Sequence, residues 1–216
     1  TGRIKLRKST GRAKQRMIKT RFALLRHGVT QWNAEKRIQG RTDISITPET
    51  VAWYQKHKLP EDWCQVPWFT SPLSRTRETA DALGIGSIAP ASPFIEMNWG
   101  MWEGEKLPDL RTRLGEQLRE NEDRGWDFRP DKGESPRDVL ERATAFLRGC
   151  DLPSFGVVTH KGVIRSVYAA ARGWNMMGKI PDKLDWQCLQ VFGWSEMSGL
   201  SIEALNVPLV SSEPEL

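Results

Sequence analysis

Phe22-Ala23-Leu24-Leu25-Arg26-His27-Gly28 is the stretch that decides the fold of this 216-residue chain. Four consecutive apolar residues bounded by basic residues predict a buried β-strand, which ends where Arg26, His27 and Gly28 begin a loop. In open α/β sheets, ligands bind beyond the carboxyl ends of the strands, so this strand end is a candidate binding site. A glycine lets the main chain approach a ligand, and an arginine donates two parallel charge-assisted hydrogen bonds, so the trio suits a phosphate dianion. The alternative is an ordinary strand end that carries a surface Arg–His pair.

Two of the three histidines follow apolar runs that predict strands. His27 ends the stretch above, and His160 follows the run Gly156-Val157-Val158-Thr159. One such histidine is explained by a structural role alone, but two at strand ends are expected to meet at one edge of a parallel sheet. Three arginines are expected to converge there with them: Arg26, Arg75 and Arg165. A metal site is the competing use of two histidines, and no His–Cys–carboxylate spacing supports it.

The pattern of apolar residues alternates between strands and helices along the chain. Short strands are predicted at 67–70, 189–192 and 200–205. Helices are predicted to begin at Thr47, Ser71 and Ser135, because each of these N-cap residues precedes a proline at the first helical position. Further helices are predicted over 108–122 and directly after His160. This alternation implies a three-layer α/β/α sandwich with a mainly parallel central sheet.

The positive charge of the chain is concentrated near its beginning. The formal net charge is +5 and the pI is about 9.2. Residues 1–21 hold nine Lys and Arg and no Asp or Glu, which leaves the rest with 23 basic and 27 acidic residues. The sequence therefore predicts a basic extension over residues 1–20, either native or an added leader, one domain over 21–209 and a tail over 210–216. A cationic arm is able to contact nucleic acid, but a run this short is more typical of a solvated extension.

Cysteine usage and hydropathy indicate a reduced, aqueous compartment. Cys64, Cys150 and Cys188 are an odd number with no close pair, which predicts neither disulfides nor a zinc site. No apolar run is long enough to span a bilayer, and no secretory signal pattern is present. We therefore expect no membrane partner and a cytoplasmic location.

Leu25-Arg26-His27-Gly28, followed by Thr30, Trp32-Asn33 and Gln39-Gly40, resembles the signature of the histidine phosphatase superfamily, the phosphoglycerate mutase-like proteins. Later stretches resemble further motifs of that family in the same order: Ser71-Pro72-Leu73-Ser74-Arg75-Thr76, Glu96 with Gly100-Met101-Trp102-Glu103-Gly104, Gly133-Glu134-Ser135, the run from Val158 to Arg165, and Asn206-Val207-Pro208-Leu209. Each motif alone is weak, but the ordered set is specific. The resemblance covers about residues 21 to 209 and implies the phosphoglycerate mutase-like α/β/α fold.

The resemblance implies a role for five of these residues. His27 would be the nucleophile that takes the phosphoryl group as a phosphohistidine, while its other ring nitrogen donates to a backbone carbonyl. Arg26, Arg75 and His160 would hold the equatorial phosphoryl oxygens without a metal or another cofactor. Glu96 would protonate the leaving oxygen and later activate water, for which its pKa must be raised by an apolar site walled by tryptophan.

Four further residues are candidate contacts of the substrate: Asn33, Gln39, Gly40 and Lys161. Asn33 and Gln39 would contact the phosphate or the leaving group. Lys161 stands where the family commonly has glycine, so its ammonium either lies at the rim of the site or points to solvent. Glu103 is the second candidate for the acid, but the family pattern assigns that role to Glu96.

The resemblance therefore favours a phosphomonoester hydrolase that acts on a small phosphorylated metabolite. The modest segment between Glu96 and His160 leaves little chain for a lid over a phosphohistidine, which favours hydrolysis over transfer. Two alternatives stay open: a phosphoglycerate mutase, and a non-catalytic binding module whose basic tail touches nucleic acid. Retention of the nucleophile together with its acid argues against the non-catalytic module.

Overall fold

The stretch around Leu24 forms a strand in the middle of the central sheet. The computed structural model describes residues 19–86 and 88–212. In chain order the strands are β1 (Thr20–Arg26), β2 (His57–Lys58), β3 (Trp68–Thr70), β4 (Ile88–Pro90), β5 (Ser154–Thr159), β6 (Leu189–Ser195), β7 (Gly199–Val207) and β8 (Val210–Ser211). The sheet has the order β4-β3-β5-β1-β6-β7, with parallel pairing from β4 through β1 and antiparallel pairing beyond it. The mainly parallel sheet is as predicted.

Helices cover both faces of this sheet. They are α1 (Gln31–Ala34), α2 (Pro48–Gln55), α3 (Glu61–Cys64), α4 (Ser74–Ala82), α5 (Leu107–Leu114), α6 (Glu116–Glu122), α7 (Pro136–Gly149) and α8 (Lys161–Arg172). Phe22 and Leu24 pack into one apolar core with α7 and α8, whereas Ala23 and Leu25 pack into another with α2 and α4. Successive side chains of a strand point to opposite faces, so four consecutive apolar residues need cover on both sides. The predicted three-layer α/β/α sandwich is confirmed.

Two of the three predicted N-caps are confirmed. Thr47 and Ser135 cap α2 and α7, and each accepts a hydrogen bond through its side chain. The start predicted at Ser71 is wrong, because α4 begins at Ser74 after an extended Leu73. The Ser71 hydroxyl accepts a hydrogen bond from the amide of Leu73 and also contacts a histidine of the candidate site.

Residues 97–134, called the lobe below, hold α5 and α6 and connect β4 to α7. The sequence predicts one helix over 108–122, but the structure has two, because Gly115 adopts a φ of +50° and ends α5. A left-handed φ costs glycine little, so the chain turns there. The lobe has its own buried apolar cluster, formed by Trp102, Leu110 and Leu118.

The two ends of the described chain both pair with other strands. β1 begins at the buried Thr20, which is the last residue of the predicted basic extension. Lys19 is also described, and residues 1–18 lie outside the described part of the chain. Val210 and Ser211, expected in a tail, pair as β8 with β2, while residues 213–216 lie outside the described part. Among the described residues, no helix is long and apolar enough to cross a membrane.

Candidate active site

Parallel pairing of β1 with β5 brings the two strand-end histidines together. Arg26 lies opposite Thr159, and the amide of His27 donates to the carbonyl of Thr159 at 2.9 Å. The ring centroids of His27 and His160 are 5.1 Å apart. Both residues are buried, with 5% and 0% of their surface exposed. The two imidazoles therefore share one crevice at the carboxyl end of the sheet.

The neighbouring peptide sets the tautomer of His27. Its Nδ1 lies 2.7 Å from the carbonyl oxygen of Gly28. Because a carbonyl oxygen only accepts hydrogen bonds, Nδ1 carries the proton and Nε2 keeps a free lone pair. The amide of Gly28 donates to Thr79 Oγ1 at 2.9 Å, which fixes the strand end from α4. A neutral imidazole held in this form is a nucleophile.

Gly28 makes room for a helix, and it also lines a cavity of about 210 Å³ together with Arg26 and His27. A Cβ at this position would lie 2.2 Å from Thr50 Cγ2 and 2.9 Å from Tyr54 Cε2. Both side chains belong to α2. The glycine therefore lets α2 close against the end of β1.

Both histidines of the crevice are held in the neutral form. Burial lowers the pKa of His27 well below its usual range, and the positive charges of Arg26 and Arg75 lower it further. Burial and then Arg75 likewise lower the pKa of His160. In the described residues, no group of three or more His, Cys, Asp or Glu side chains is arranged to hold a metal ion.

Three acceptors fix the guanidinium of Arg75, which is 1% exposed. Nη2 donates to the carbonyl of Gly40 at 2.6 Å, and Nη1 donates to that of Thr42 at 2.9 Å. Nε donates to His160 Nδ1 at 3.3 Å. The proton of neutral His160 is therefore on Nε2, which lies 2.7 Å from Ser71 Oγ. The loop after His27 thus orients the second arginine.

Two buried donors near His27 have no hydrogen-bond acceptor among the described residues. They are Arg26 Nε and Gln39 Nε2. Two neighbouring polar atoms are engaged: Arg26 Nη2 donates to Asn33 Oδ1 at 3.3 Å, and Gln39 Oε1 accepts from Asn33 Nδ2 at 3.2 Å. A buried N–H without an acceptor is costly, so this arrangement suits a ligand with several acceptor oxygens.

Glu96 is a buried carboxyl with a raised pKa, in the predicted direction. Burial raises the pKa, and two backbone amides and the nearby arginines oppose that shift. Oε1 accepts from the amide of Met97 at 2.8 Å, and Oε2 accepts from the amide of Gly162 at 3.3 Å. The pKa of Glu96 is thus shifted in the direction that a proton-donating carboxyl requires.

Glu103 has a positioning role in the loop over the site. Its carboxylate accepts hydrogen bonds from the amides of Arg41 and Thr42, each at 2.8 Å, and from the Thr42 hydroxyl at 2.5 Å. Gly40 has a φ of +57°, and a Cβ there would overlap the Glu103 side chain. Glu103 thus holds the segment whose carbonyls orient Arg75, so the choice of Glu96 as the acid is consistent with the geometry.

Three polar residues of the site have no role in the sequence-based prediction: Ser71, Thr79 and Glu134. Glu134 accepts from Arg41 Nη2 at 2.8 Å and from the amide of Asn98 at 3.0 Å, which ties the lobe to the loop after His27. The motif Gly133-Glu134-Ser135 was the available signal for Glu134. Ser71 likewise opens a quoted family motif, but it was interpreted as an N-cap. For Thr79 no local signal exists, because its partner Gly28 is distant in sequence.

Lys161 lies at the rim of the crevice. Its Nζ is 5.3 Å from the ring centroid of Trp186. The Cζ of Arg26 is 5.8 Å from the same ring, so one indole contacts both cations. Lys161 is exposed, so its position against Trp186 fits both orientations that the sequence leaves open.

Arg165 lies apart from the histidine pair and lines a cavity of about 480 Å³ between α8 and the lobe. Met97 and Gly162, whose amides bind Glu96, line the same cavity. The guanidinium of Arg165 lies 5.6 Å from the ring of Trp174. Among the described residues, Arg165 forms no hydrogen bond with either histidine, and its Nε has no acceptor.

Comparison with known proteins identifies a family that this chain matches. Residues 22–206 match the family model of the histidine phosphatase superfamily (branch 1). A curated Klebsiella pneumoniae protein, named probable phosphoglycerate mutase GpmB, is 35% identical over 147 residues, which cover 61% of this chain and 63% of that protein. The chain thus aligns with less than two thirds of the length of that relative.

Solved structures share the fold. TTHB049 from Thermus thermophilus is 28% identical with a TM-score of 0.62, and the match covers 91% of this chain and 98% of that one. The α-ribazole phosphatase from Shigella flexneri has a TM-score of 0.69 over 90% of this chain and 100% of that one, at 20% identity, which shows likeness of fold alone. Because the family model spans the central sheet and both histidines of the crevice, the chain belongs to the histidine phosphatase superfamily.

Proposed function

We propose that this chain is a phosphomonoester hydrolase that passes the phosphoryl group of a small phosphorylated metabolite to His27 and then to water. One observation carries the proposal: His27 Nδ1 donates to the carbonyl of Gly28 at 2.7 Å. This hydrogen bond and the lowered pKa of His27 leave Nε2 unprotonated at neutral pH. An unprotonated imidazole nitrogen close to the half-buried Arg26 and the buried Arg75 is suited to attack an anionic phosphate.

The donors around His27 would bind the phosphoryl oxygens. Arg26 Nε and Gln39 Nε2 are buried and have no other acceptor in the described chain. A phosphoryl oxygen takes the place of His160 as the partner of Arg75 Nε. The dianion favours protonation of His160, whose Nδ1 then donates to the same group. Charge that develops on the equatorial oxygens is stabilised in this way without a metal.

In the first step, the lone pair of His27 Nε2 attacks phosphorus and the bond from phosphorus to the ester oxygen breaks. Glu96 gives its proton to that oxygen, so the products are the alcohol, a phosphohistidine and a carboxylate. Burial raises the pKa of Glu96 and lowers that of His27, so both shifts favour a protonated acid beside a neutral nucleophile.

In the second step, the Glu96 carboxylate takes a proton from water. The water oxygen attacks phosphorus, and the bond from phosphorus to His27 Nε2 breaks with its electron pair returning to nitrogen. Inorganic phosphate leaves and both side chains regain their initial protonation. The same carboxyl thus serves as acid and then as base.

A phosphoglycerate mutase is the second candidate, because the Klebsiella relative carries that name. A mutase has to keep its phosphohistidine from water until the intermediate binds again. Between Glu96 and His160 the chain forms α5, α6, α7 and β5, which together take up just over half of the segment. We favour hydrolysis because these elements belong to the fold and reduce the length of chain that could form a lid.

Replacement of His27 tests the proposal. The wild-type chain should release inorganic phosphate from phosphomonoesters without a bisphosphate primer and should carry an acid-labile, base-stable phosphoryl adduct. The variant His27→Ala should do neither, whereas His57→Ala, a control in β2 outside the crevice, should do both. Full activity of His27→Ala would rule out His27 as the nucleophile and with it the proposed mechanism. Conversion of 3-phosphoglycerate to 2-phosphoglycerate much faster than phosphate release would replace the hydrolase with the mutase.

A further inference from the structure

We propose that Asn206 holds the guanidinium of Arg26 in place for a phosphoryl group, acting through the turn that carries Trp186. Asn206 would thus be a positioning residue that does not touch the substrate. This inference rests on the proposed binding of phosphoryl oxygens by Arg26 and adds what orients that arginine. It also gives a role to the motif Asn206-Val207-Pro208-Leu209, which the proposed mechanism does not use.

Asn206 lies in a β-bulge between β6 and β7. The register of the pair shifts around Gln190, so two residues of β7, Leu205 and Asn206, face this one residue of β6. Asn206 has a φ of +57°, in the left-handed region that residues with a Cβ rarely adopt. Bulges and uncommon backbone conformations concentrate near functional sites, where they redirect a side chain. Here the bulge turns the Asn206 side chain toward residues 183–185, which precede β6.

Asn206 and Gln190 together fix the backbone of residues 183–185. Asn206 Oδ1 accepts from the amide of Asp185 at 2.7 Å, and Nδ2 donates to the carbonyl of Lys183 at 2.9 Å. Gln190, which is 1% exposed, donates through Nε2 to the carbonyl of Asp185 at 2.8 Å. The two side chains also bind each other, since Gln190 Nε2 donates to Asn206 Oδ1 at 3.1 Å. Because both side-chain amides use their nitrogen and their oxygen, one replacement disturbs the whole network.

This network holds Trp186 from both sides. Trp186 follows Asp185 directly, and the amide of Gln187 donates to Asp185 Oδ1 at 2.9 Å. The amide of Cys188 donates to the carbonyl of Asp185 at 3.4 Å, which closes a turn around Trp186 and Gln187. The backbone of Trp186 is therefore fixed by residues whose positions depend on Asn206.

Among the described residues, the guanidinium of Arg26 has few partners. Nη2 makes a hydrogen bond of 3.3 Å with Asn33 Oδ1, Nε has no acceptor, and Cζ lies 5.8 Å from the ring centroid of Trp186. Arg75, in contrast, is fixed by three acceptors within the protein. An indole face attracts a guanidinium, so Trp186 gives Arg26 the orientation that hydrogen bonds give Arg75. Displacement of the ring should therefore release Arg26 and leave Arg75 in place.

Binding of inorganic phosphate, measured by calorimetry, tests the inference without turnover. Asn206→Gly removes the side chain, and glycine adopts the left-handed φ with little strain, so the bulge is kept. The affinity of this variant for phosphate should fall about tenfold, as expected when a displaced arginine loses one charge-assisted hydrogen bond. Trp186→Ala should show a loss of similar size. Wild-type affinity in either variant would overturn the inference.

A double-variant cycle separates positioning from a merely structural role. If Asn206 acts through Trp186, the double variant Asn206→Gly/Trp186→Ala should bind phosphate no more weakly than Trp186→Ala does. Losses that multiply in the double variant would overturn the inference. Asn206→Asp keeps an acceptor for the amide of Asp185 and lacks only the donor to Lys183, so its loss of affinity should be smaller than that of Asn206→Gly.

Asn121→Gly is the matched control. The side chain of Asn121 binds the amide and the carbonyl of Arg129 in the lobe, so this variant also removes an asparagine that fixes a backbone segment. It should unfold at lower urea concentration and keep the wild-type affinity for phosphate. Equal weakening of phosphate binding in Asn121→Gly would show that loosening of any loop lowers the affinity, and would overturn the inference.

Hydrolysis of phosphomonoesters separates this inference from the proposed function. If the variants bind phosphate as expected but wild type hydrolyses no ester, the hydrolase proposal fails and the positioning role stands. If wild type is a hydrolase and Asn206→Gly keeps both its phosphate affinity and its kcat/KM, the hydrolase stands and the positioning role fails. A wild-type chain that binds no phosphate would overturn the positioning role whatever its hydrolysis.

Discussion

Gly162 and Glu96 are so close that a Cβ on the glycine would lie 2.3 Å from Glu96 Oε1. The same glycine donates its amide to Glu96 Oε2 at 3.3 Å. The first turn of α8 therefore places the acid directly after presenting His160 at its N-cap. A side chain at this position would push the carboxyl out of place.

The first prediction is that Gly162→Ala impairs proton transfer while the fold is kept. Alanine favours a helix over glycine by about 1 kcal/mol, so the melting temperature should change little. Displacement of Glu96 should lower kcat for alkyl phosphates by about a hundredfold, and less for 4-nitrophenyl phosphate, whose leaving group needs little protonation. Gly149→Ala is the control, because a Cβ there meets nothing within 4 Å. Wild-type kcat for alkyl phosphates in Gly162→Ala would contradict the assignment of Glu96.

The second prediction concerns stability at acid pH. The pKa values of His27 and His160 are well below 6.5 in the folded protein and near 6.5 when the chain is unfolded. Below about pH 6.5 the unfolded chain therefore binds protons that the folded one does not, and each histidine should remove about 1.4 kcal/mol of stability per pH unit. Glu96, with its raised pKa, acts in the opposite direction at lower pH.

Urea unfolding at pH values from about 7.5 down to about 5.5 measures this slope. The double variant His27→Asn/His160→Asn should unfold with a much flatter dependence on pH in that range. An unchanged slope in the double variant would show that other groups cause the acid sensitivity.

The third prediction is that Glu103→Gln weakens binding of inorganic phosphate. The amides of Arg41 and Thr42 would lose a charged acceptor, and the loop that orients Arg75 would be released. Hydrogen bonds to charged groups contribute about 1.5–3 kcal/mol, so affinity should fall at least tenfold in calorimetry. Glu105→Gln, which removes an exposed ion pair with Arg113, should leave it unchanged. Equal affinities in the two variants would refute the positioning role.

The central sheet and the histidine pair could be predicted because their signals are local. Four apolar residues before Arg26 need burial on both faces, and a second apolar run before His160 repeats the pattern. Parallel pairing then brings the two strand ends together without further information. The polar residues that support the histidines depend on tertiary contacts that no local pattern encodes.

Three errors show where local patterns fail. Ser71 precedes a proline as an N-cap would, but its hydroxyl is used by His160. Gly115 lies in a stretch where apolar residues keep a helical period, and one glycine costs a helix only about 1 kcal/mol, so the break was not evident. Val210 and Ser211 were expected in a tail after Pro208, but both pair with β2.

The position of β1 also determines when the crevice is assembled during folding. In the described part of the chain, β1 pairs with β5 and β6. β1 ends at residue 26, whereas β5 begins at residue 154 and β6 at residue 189. The entropy of closing that long loop opposes the pairing, so β1 gains its neighbours late. His27 therefore acquires its surroundings only after strands far along the chain have paired with β1, so we expect recovery of the site on refolding to be governed by long-range contacts.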